Sequence, residues 1–264
     1  MKYLLSQWDK LEKHITDKFV MLFLDYDGTL TPIVKNPDKA TLRRRARNVL
    51  QRLSTNPRCA IAVVSGRDLT NIKKKVGLKN IIYSGNHGLQ IQGPKINFTA
   101  PVPADFRMVL RKIKRDLKKI FRSVRGIFLE DKGLTLAVHY RRVSTGLIAF
   151  VVWAVLKIAM PYVRKKEIVI ALGKKVLEIR PAVAWDKGSA VLWLLNRQKS
   201  ILHSQSVLPI YIGDDVTDED VFDALKDEGL TIFVGHPKKS HAKYYLKNTK
   251  EVFKFLKGLN ALLS

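Results

Sequence analysis

The sequence predicts an α/β fold: a Rossmann-like parallel sheet with a smaller α+β module inserted into it. Short apolar runs bounded by turn residues recur along the chain and alternate with helical patterns. This alternation is typical of buried parallel strands joined by right-handed crossovers. Between residues 101 and 180 the rhythm changes to helices and paired strands. We therefore expect a parallel core and a separate inserted module.

The predicted sheet is built from five apolar runs, at residues 20–24, 60–64, 81–83, 209–212 and 231–234. A helix is predicted over 41–53, because Leu42, Ala46, Val49, Leu50 and Leu53 recur at spacings of three and four residues. The N-terminal segment has the same periodicity and lacks a long apolar core. It therefore predicts an amphipathic helix and not a signal peptide.

The inserted module is predicted over 101–180, which leaves 1–100 and 181–264 as the core. Prolines at 101, 103 and 181 mark the two linkers. The module reads as a basic helix (105–122), two strands turning near 131–133, an apolar helix (147–160) and two strands turning at 172–173. The apolar helix contains Lys157 and is followed by Pro161, short of the ~20 residues of a membrane span. We expect it to be buried against a sheet or another subunit.

Composition is that of a folded protein, with 46% hydrophobic and 27% charged residues in 264. The net charge of +25 attracts anions, which leaves phosphorylated metabolites, nucleic acid and acidic membrane surfaces as partner classes. The module 101–180 holds 19 Lys or Arg and 6 Asp or Glu, a net of +13. Cys59 is the single cysteine, so no internal disulfide forms. A reducing, cytoplasmic location is expected.

Two carboxylates follow the first predicted strand, in FLDYDGTLTP (23–32). Asp25 and Asp27 alternate along an extended segment, so they point to the same side at the carboxyl edge of the sheet, where such folds bind ligands. Their mutual repulsion calls for a cation or a proton. An ordinary Asp-Gly turn is the alternative.

Two further segments place phosphate-binding groups at the same edge. Ser65 follows the second strand in VVSGR, where its hydroxyl is able to donate to a phosphate oxygen, and we assign Gly66 and Arg67 to substrate binding with it. Taken alone, this segment suits an ordinary Ser-Gly turn better. Lys187 lies in the first turn of a helix that Asp186 caps in WDKGS. A cation is unfavourable there unless an anion is near.

The fourth predicted strand ends in YIGDDVTDED (211–220), with five acids in seven residues. Thr217 and the acids after it suit the start of a helix. Asp214 and Asp215 are more than capping requires. With Asp25 and Asp27 they predict an oxygen-rich site of the kind that selects Mg²⁺.

These four segments, in this order, resemble the haloacid dehalogenase-like hydrolase superfamily. Within it the chain is similar to trehalose-6-phosphate phosphatases in the segments DYDGTLTPI, VVSGR, YSGNHGLQI, LEDKGLTLAVHYR, VLEIRP, WDKG and YIGDDVTDED. Two of these segments, LEDKGLTLAVHYR and VLEIRP, lie in the inserted module, so the similarity to this family extends beyond the core. The resemblance implies a hydrolase core with a substrate-reading cap.

The resemblance also implies roles in a Mg²⁺-dependent phosphatase. Asp25 is then the nucleophile that forms an aspartyl-phosphate, and Asp27 is the acid and then the base. Ser65 and Lys187 bind the phosphoryl oxygens. Mg²⁺ is held by Asp25, the carbonyl of Asp27 and Asp214, with Asp215 and Asp218 orienting metal-bound water.

In the cap, the resemblance assigns Glu130, Lys132 and Glu178 to the hydroxyls of the distal sugar, with Arg141 near the phosphate or sugar. Their alternative role is as ordinary surface charge on strands. His87 is assigned to the same pocket or, alternatively, to the core. Gln90 stands where the family commonly has an acid.

Other functions remain open at this stage. A phosphatase of sucrose phosphate or of mannosyl- or glucosyl-phosphoglycerate would keep every core residue and differ in the cap. A nucleic-acid-binding protein would use the positive charge, although no recognised motif for it occurs in the sequence. A catalytically silent regulatory module normally lacks Asp25 or Asp27, and both are present. We expect a small sugar phosphate as partner, no nucleic acid and no membrane span. A monomer is expected, with a dimer through the apolar cap helix as the alternative.

Overall fold

The computed structural model describes residues 1–34, 37–173, 175–203, 206–237 and 239–264. Within them the chain divides into two units. The first comprises Met1–Phe98 and Trp185–Ser264, and the second comprises Thr99–Ala184. The range 101–180, expected to form the cap, lies inside the second unit.

Both units contain a sheet. In chain order the strands are β1 (Lys2–Tyr3), β2 (Phe19–Leu24), β3 (Cys59–Val64), β4 (Ile82–Gly85), β5 (Gln90–Gly93), β6 (Ile96–Thr99), β7 (Phe128–Asp131), β8 (Leu136–His139), β9 (Ile168–Gly173), β10 (Val176–Pro181), β11 (Val207–Gly213), β12 (Leu230–Val234) and β13 (Tyr244–Leu246). The helices are α1 (Trp8–Ile15), α2 (Arg44–Thr55), α3 (Leu69–Val76), α4 (Phe106–Ile120), α5 (Ile148–Arg164), α6 (Lys187–Leu202), α7 (Glu219–Ala224) and α8 (Thr249–Leu263).

The first unit is built on a nine-stranded sheet in the order β1-β13-β12-β11-β2-β3-β4-β5-β6. The strands from β1 to β4 in that order pair in parallel, and β5 turns back antiparallel to β4. The five predicted strands are confirmed as β2, β3, β4, β11 and β12. The short strands β1 and β13, the pair β5 and β6, and the helices α3 and α8 escaped prediction because their apolar runs are short or mixed with lysines.

Both faces of the large sheet are covered by helices. Val20, Leu22 and Leu24 of β2 face a core formed with α1, α2, α3 and α8. Met21 and Phe23 of the same strand face a second core formed with α6 and α7. A strand that is buried on both sides has the uninterrupted apolar sequence seen here. The first polar residue, Asp25, follows directly at its carboxyl end.

The second unit is a four-stranded antiparallel sheet in the order β7-β8-β10-β9, with α4 and α5 packed on one face. Alternation along the strands sends Leu136, Val138, Leu177 and Ile179 into this core. The residues between them lie on the opposite face. The predicted order of helices and strand pairs is confirmed.

The prediction for the apolar helix was wrong in two respects. α5 has 17 residues and continues through Pro161, and a helical turn over Thr145–Leu147 extends the stretch to 20 residues, Thr145–Arg164. By length and composition this helix could cross a membrane. Only 22% of its most apolar 18-residue stretch is buried in the protein. One narrow face (Val151, Ala154, Val155 and Ala159) packs on the cap core, because small residues there let the helix lie close to the sheet. Val152, Ile158, Tyr162 and Val163 are half-buried at the edges of this face, so the expected packing against a sheet is confirmed. The opposite side, with Phe150, Trp153, Leu156 and Met160, is exposed and not buried as expected.

Candidate active site

The centre of the candidate site is formed where β2 and β11 end side by side. Their register pairs Leu24 with Ile212, and the backbone N–H of Asp25 donates to the carbonyl of Ile212 at 2.9 Å. This pairing brings together Asp25 and Asp214, which lie 189 positions apart in the sequence. A Cβ added to Gly28 would clash with the carboxylate of Asp214. The glycine thus allows the two loops to approach, and its φ of +93° suits a residue without a side chain.

Lys187 joins this centre from the start of α6. Asp186 caps the helix by accepting from the backbone N–H of Ser189 at 2.7 Å. The buried ammonium of Lys187 donates to Oδ1 of Asp25 at 2.9 Å and to Oδ1 of Asp218 at 2.8 Å. These two carboxylates explain how a cation is tolerated at a helix N-terminus.

Asp218 organises the loop after β11. Its Oδ1 accepts from Lys187 and from the Tyr211 hydroxyl at 2.6 Å, and its Oδ2 accepts from the backbone N–H groups of Asp214 and Asp215, each at 2.9 Å. A carboxylate offers about four acceptor positions, so these four donors saturate it. Asp218 is therefore a positioning residue for Lys187 and for the loop that carries Asp214.

Asp215 has a different place from the one predicted. Its side chain accepts from the backbone N–H of Asp218 in a reciprocal capping box, at the start of the helical turn Val216–Asp218. Asp215, and not Thr217, is the N-cap residue. The capping bond turns this carboxylate toward the helix start, so it is absent from the group of three carboxylates described below.

Burial and charge oppose each other at this centre. Burial raises the pKa of Asp25 well above its usual range, and although Lys187 lowers it, Asp218 and Asp214 raise it further. Burial also favours a higher pKa for Asp218, but Lys187 and the hydrogen bonds to its carboxylate lower the pKa below its usual value. Burial alone would lower the pKa of Lys187, and the carboxylates of Asp218 and Asp25 outweigh it and raise the pKa. The ammonium therefore stays charged between two acids.

One group of carboxylates in the described residues could hold a metal ion. Asp25, Asp214 and Asp218 each offer an oxygen within 4.8 Å of the others. Three carboxylates face one ammonium, so the group carries an excess of negative charge that a hard cation would balance. Asp25 and Asp214 were predicted as ligands. The carboxylates of Asp27 and Asp215 lie outside this group, since the first pairs with Arg67 and the second caps a helical turn. The ligand named above at position 27 is the backbone carbonyl, and it stays a prediction, as does the role of Asp215 in orienting metal-bound water.

Asp27 is held by Arg67 in a two-point ion pair. Nε of Arg67 donates to Oδ2 and Nη2 donates to Oδ1, both at 2.6 Å. The guanidinium also donates to Asn71 at 3.2 Å and lies over the Tyr26 ring, 5.4 Å from its centre. Sequence reasoning placed Arg67 with the substrate and missed this partner. The parallel register of β2 and β3, which pairs Leu24 with Val63, brings Asp27 and Arg67 together.

Ser65 lies beside this ion pair at the end of β3. It is buried, and its Oγ accepts from the backbone N–H of Arg67 at 3.2 Å. The backbone N–H of His87 donates to the carbonyl of Ser65 at 3.0 Å. A Cβ on Gly66 would lie 2.5 Å from the imidazole of His87, so this ring packs directly on the glycine. His87 thus packs against the loop that carries Ser65 and Gly66.

The segment that carries His87 is strained. Asn86 and His87 have φ values of +52° and +56°, which are costly for residues with side chains. The Asn86 side chain donates to Oε1 of Gln90 at 3.0 Å, and its backbone N–H donates to the carbonyl of Arg67 at 2.7 Å. Gln90, which departs from the family pattern, therefore holds Asn86, a residue of the segment 85–88 that the sequence assigned to the same pocket as His87.

Two of the predicted sugar-binding residues share one row of the cap sheet. Glu130 and Glu178 both pair with Ala137, so the two carboxylates flank a small residue on the face opposite α4 and α5. Oε1 of Glu178 accepts from Lys132 at 2.8 Å and from Thr135 at 3.1 Å, and Oε2 accepts from Arg180 at 2.9 and 2.6 Å.

The remaining cap residues divide between this row and its surroundings. Nε2 of His139 lies 2.8 Å from Oε2 of Glu130, and its ring stacks on Phe128 at 5.7 Å. Arg141 is exposed in the turn after β8, outside the strands. His139 and Arg180 were missed by the sequence analysis. Each lies two residues after a member of the row, Ala137 on β8 and Glu178 on β10, so the alternation of side chains along a strand places it on the same face.

Comparison with known proteins gives consistent results. The family model Trehalose-phosphatase matches residues 23–250. Trehalose-phosphate phosphatase B of Arabidopsis thaliana is 34% identical over 270 residues, covering 97% of this chain and 70% of that protein. Trehalose-phosphate phosphatase of Mycobacterium tuberculosis is 38% identical over 218 residues, covering 81% of this chain and 54% of that protein. The C-terminal domain of Candida albicans trehalose-6-phosphate phosphatase superposes with a TM-score of 0.82 at 26% identity, over 100% of this chain and 99% of that one.

Proposed function

We propose that this chain, which belongs to the trehalose-phosphatase family, hydrolyses trehalose 6-phosphate to trehalose and phosphate. Asp25 is the nucleophile. The chain is thus a phosphoric monoester hydrolase. The observation that carries the assignment of Asp25 is its position. It is buried at the end of β2, with one oxygen held by Lys187 and with Asp214 in the neighbouring loop.

The first displacement begins when a carboxylate oxygen of Asp25 attacks phosphorus. The bond from phosphorus to the sugar oxygen breaks, and an aspartyl-phosphate forms. Lys187, anchored by Asp218, and the hydroxyl of Ser65 offer donors to the phosphoryl oxygens. Because Asp218 fixes the ammonium, this charge needs no rearrangement when the phosphate arrives.

Asp27 performs the proton transfers. It gives a proton to the leaving sugar oxygen, and then takes one from the water that attacks the aspartyl-phosphate, which releases phosphate and restores Asp25. Arg67 holds both oxygens of Asp27 and so fixes the direction in which the carboxyl group points. Substrate binding must loosen one of these two hydrogen bonds before Asp27 can carry a proton.

A divalent cation, Mg²⁺, fits the carboxylates at this centre. Asp25 and Asp214 would hold it, since Asp218 is saturated by its four donors. When bound, the ion supplies positive charge that reduces the repulsion between the anionic nucleophile and the anionic phosphate. Hard oxygen ligands of this kind are those that Mg²⁺ prefers.

The cap supplies the groups that read the sugar. Glu130, Lys132 and Glu178 carry charges that bind hydroxyls by charge-assisted hydrogen bonds. Arg180 and Thr135 hold the Glu178 carboxylate in place, and His139 does the same for Glu130. Another sugar phosphate, such as sucrose phosphate or a glycosyl-phosphoglycerate, would be distinguished by these residues alone. For localisation we propose the cytoplasm, which suits the single buried Cys59.

The function is tested by phosphate release from trehalose 6-phosphate by the Asp25→Asn variant, with Mg²⁺ present. We expect no turnover, because the substitution removes the nucleophile and almost no volume, and an unchanged circular dichroism spectrum. Asp223→Asn is the matched control, since that acid is exposed on α7 and pairs with the exposed Lys226 at 3.2 Å. Full activity of Asp25→Asn, or equal losses in both variants, would exclude Asp25 as the nucleophile.

A further inference from the structure

The exposed side of α5 is apolar and aromatic. Phe150, Trp153, Leu156 and Met160 are all exposed, and Trp153 retains 51% of its accessible surface. They recur at spacings of three and four residues, on the side of the helix away from Val151 and Val155, which pack on the cap core. Large apolar side chains in a continuous stripe of this kind mark a site of interaction.

The neighbouring helix α4 carries a basic face. Five cations of α4 and one directly after it line a groove together with a single acid, Asp131: Arg111, Lys114, Arg115, Lys118, Lys119 and Arg122. Asp131 pairs with Lys114 at 2.8 Å, and Arg115 pairs with its sequence neighbour Asp116 at 3.0 Å. Like charges three or four residues apart repel one another along the helix. A bound anionic surface would relieve that repulsion.

Aromatic contacts link the end of α4 to α5. Phe121, directly after α4, meets Phe150 edge to face at 6.5 Å between ring centres. Phe150 stacks on Trp153 at 5.9 Å, and the ammonium of Lys157 lies 4.7 Å from the centre of the Trp153 ring. Helices α4 and α5 pack on the same side of one sheet. We name the basic groove and the apolar stripe together the cap helical face.

We propose that the cap helical face binds the surface of an anionic lipid bilayer. The Trp153 and Phe150 rings with Leu156 and Met160 suit the boundary between headgroups and acyl chains, where an amphipathic helix lies in the plane of the membrane. The cations of α4 suit the negative charge of the headgroups. The helix does not need to leave the protein, because its inner face keeps its contacts with the cap core.

Charge favours this occupant over two others. A second copy of the chain seated on the same face would bring two sets of six cations together, and residues 101–180 of the second unit already carry a net charge of +13. A nucleic acid would neutralise the cations but would leave Leu156 and Met160 against phosphates and sugars. A bilayer with anionic headgroups provides both negative charge and an apolar layer.

The test is co-sedimentation of the full chain with vesicles of phosphatidylcholine alone or with added phosphatidylserine. Three double variants are compared. Arg111→Glu with Lys118→Glu removes charge from the cap helical face, Trp153→Gln with Leu156→Gln removes apolar surface, and Lys254→Glu with Lys257→Glu makes the same change of charge on the exposed side of α8 in the first unit. Unchanged phosphatase activity and circular dichroism show that each variant is folded.

The wild-type chain is expected to sediment with phosphatidylserine vesicles, to stay in solution with phosphatidylcholine, and to be released by salt. Each variant of the cap helical face should lower partitioning at least about tenfold, since one cation near such a surface contributes about a fivefold change. The α8 variant should change it less than about twofold.

Three outcomes would overturn the proposal. The wild type fails to sediment with any vesicle, or the α8 variant loses as much binding as the cap variants. In the third, the chain forms a dimer in solution that Trp153→Gln with Leu156→Gln dissociates, and vesicles do not compete for that surface. A nucleic acid retained equally well by the apolar variant, in the absence of vesicle binding, would assign the basic face to that partner instead.

Discussion

Substitution of Lys187 by Met probes the electrostatic centre of the protein. The side chain is 3% exposed, and its ammonium bonds to the carboxylates of Asp25 and Asp218 at 2.9 and 2.8 Å. Removing one partner of a buried ion pair leaves uncompensated charge and costs roughly 3–5 kcal/mol of unfolding free energy. For a chain of this size, that loss lowers Tm by roughly 6–20 °C. Phosphate release should be lost as well.

A control on the same helix separates this effect from the substitution itself. Lys199 pairs with Glu228, and both side chains are 41% exposed. An exposed ion pair contributes about 0–1 kcal/mol, so Lys199→Met should change Tm by no more than about 4 °C. Calorimetry of the two variants and the wild type gives the comparison directly.

The pH dependence gives a second readout. Burial raises the pKa of Asp25, so protonation of this group is favoured in the folded protein, and its contribution to stability is present at low pH and lost as pH rises through the folded pKa. In Lys187→Met a proton is able to take the place of the ammonium. The difference in Tm between the variant and the wild type should therefore shrink as the pH falls from 8 toward 5. A Lys187→Met protein as stable as Lys199→Met at pH 8 would refute the ion-pair reasoning.

Three other predictions follow from single contacts. Gly28→Ala should lower the affinity for the metal ion, because the new Cβ would meet the Asp214 carboxylate. The control Gly133→Ala has a φ of +79° but open space around the new Cβ, so it should lower only the stability of the fold. Equal metal affinities of the two variants would contradict this reasoning. Glu130→Ala should raise KM for trehalose 6-phosphate far more than for a small aryl phosphate, and equal increases would argue against a cap that reads the sugar. Burial raises the pKa of Cys59 to about 12, so a thiol reagent at pH 8 should label the native protein only after unfolding; rapid labelling of the folded protein would contradict the burial.

The parallel core could be predicted from the sequence because its strands are buried on both faces. Phe19–Leu24 and Cys59–Val64 are unbroken apolar runs, and their ends coincide with Asp25 and Ser65. The pair β5 and β6 could not be predicted, since its residues are half-exposed and include polar side chains. A pattern of apolar residues identifies an element only as far as that element is buried.

The candidate site was predicted as a set of residues and only partly as a set of contacts. Asp25, Lys187 and Asp214 meet because their strands and helix are neighbours. The spacing of a motif does not distinguish the roles of the adjacent acids Asp214 and Asp215. In the structure the Asp214 side chain lies beside Gly28, whereas the Asp215 side chain caps a helical turn. Hydrogen bonds between loops decide such details.

The apolar helix shows the opposite limit. Its composition predicted burial, but a helix is buried only where a neighbour covers it, and the described cap offers one sheet face to two helices. α4 takes part of that face, which leaves one narrow side of α5 covered. Composition gives the apolar surface available, and the number of packing partners decides how much of it is hidden.

The most direct test of the central claim is to trap the covalent intermediate on Asp25. Borohydride added during turnover of trehalose 6-phosphate reduces an aspartyl-phosphate to homoserine, which mass spectrometry locates in the sequence. We expect homoserine at position 25 with substrate present, and none without it or in Asp25→Asn. Homoserine at another carboxylate, or none at position 25 while phosphate is released at the full rate, would contradict the role given to Asp25.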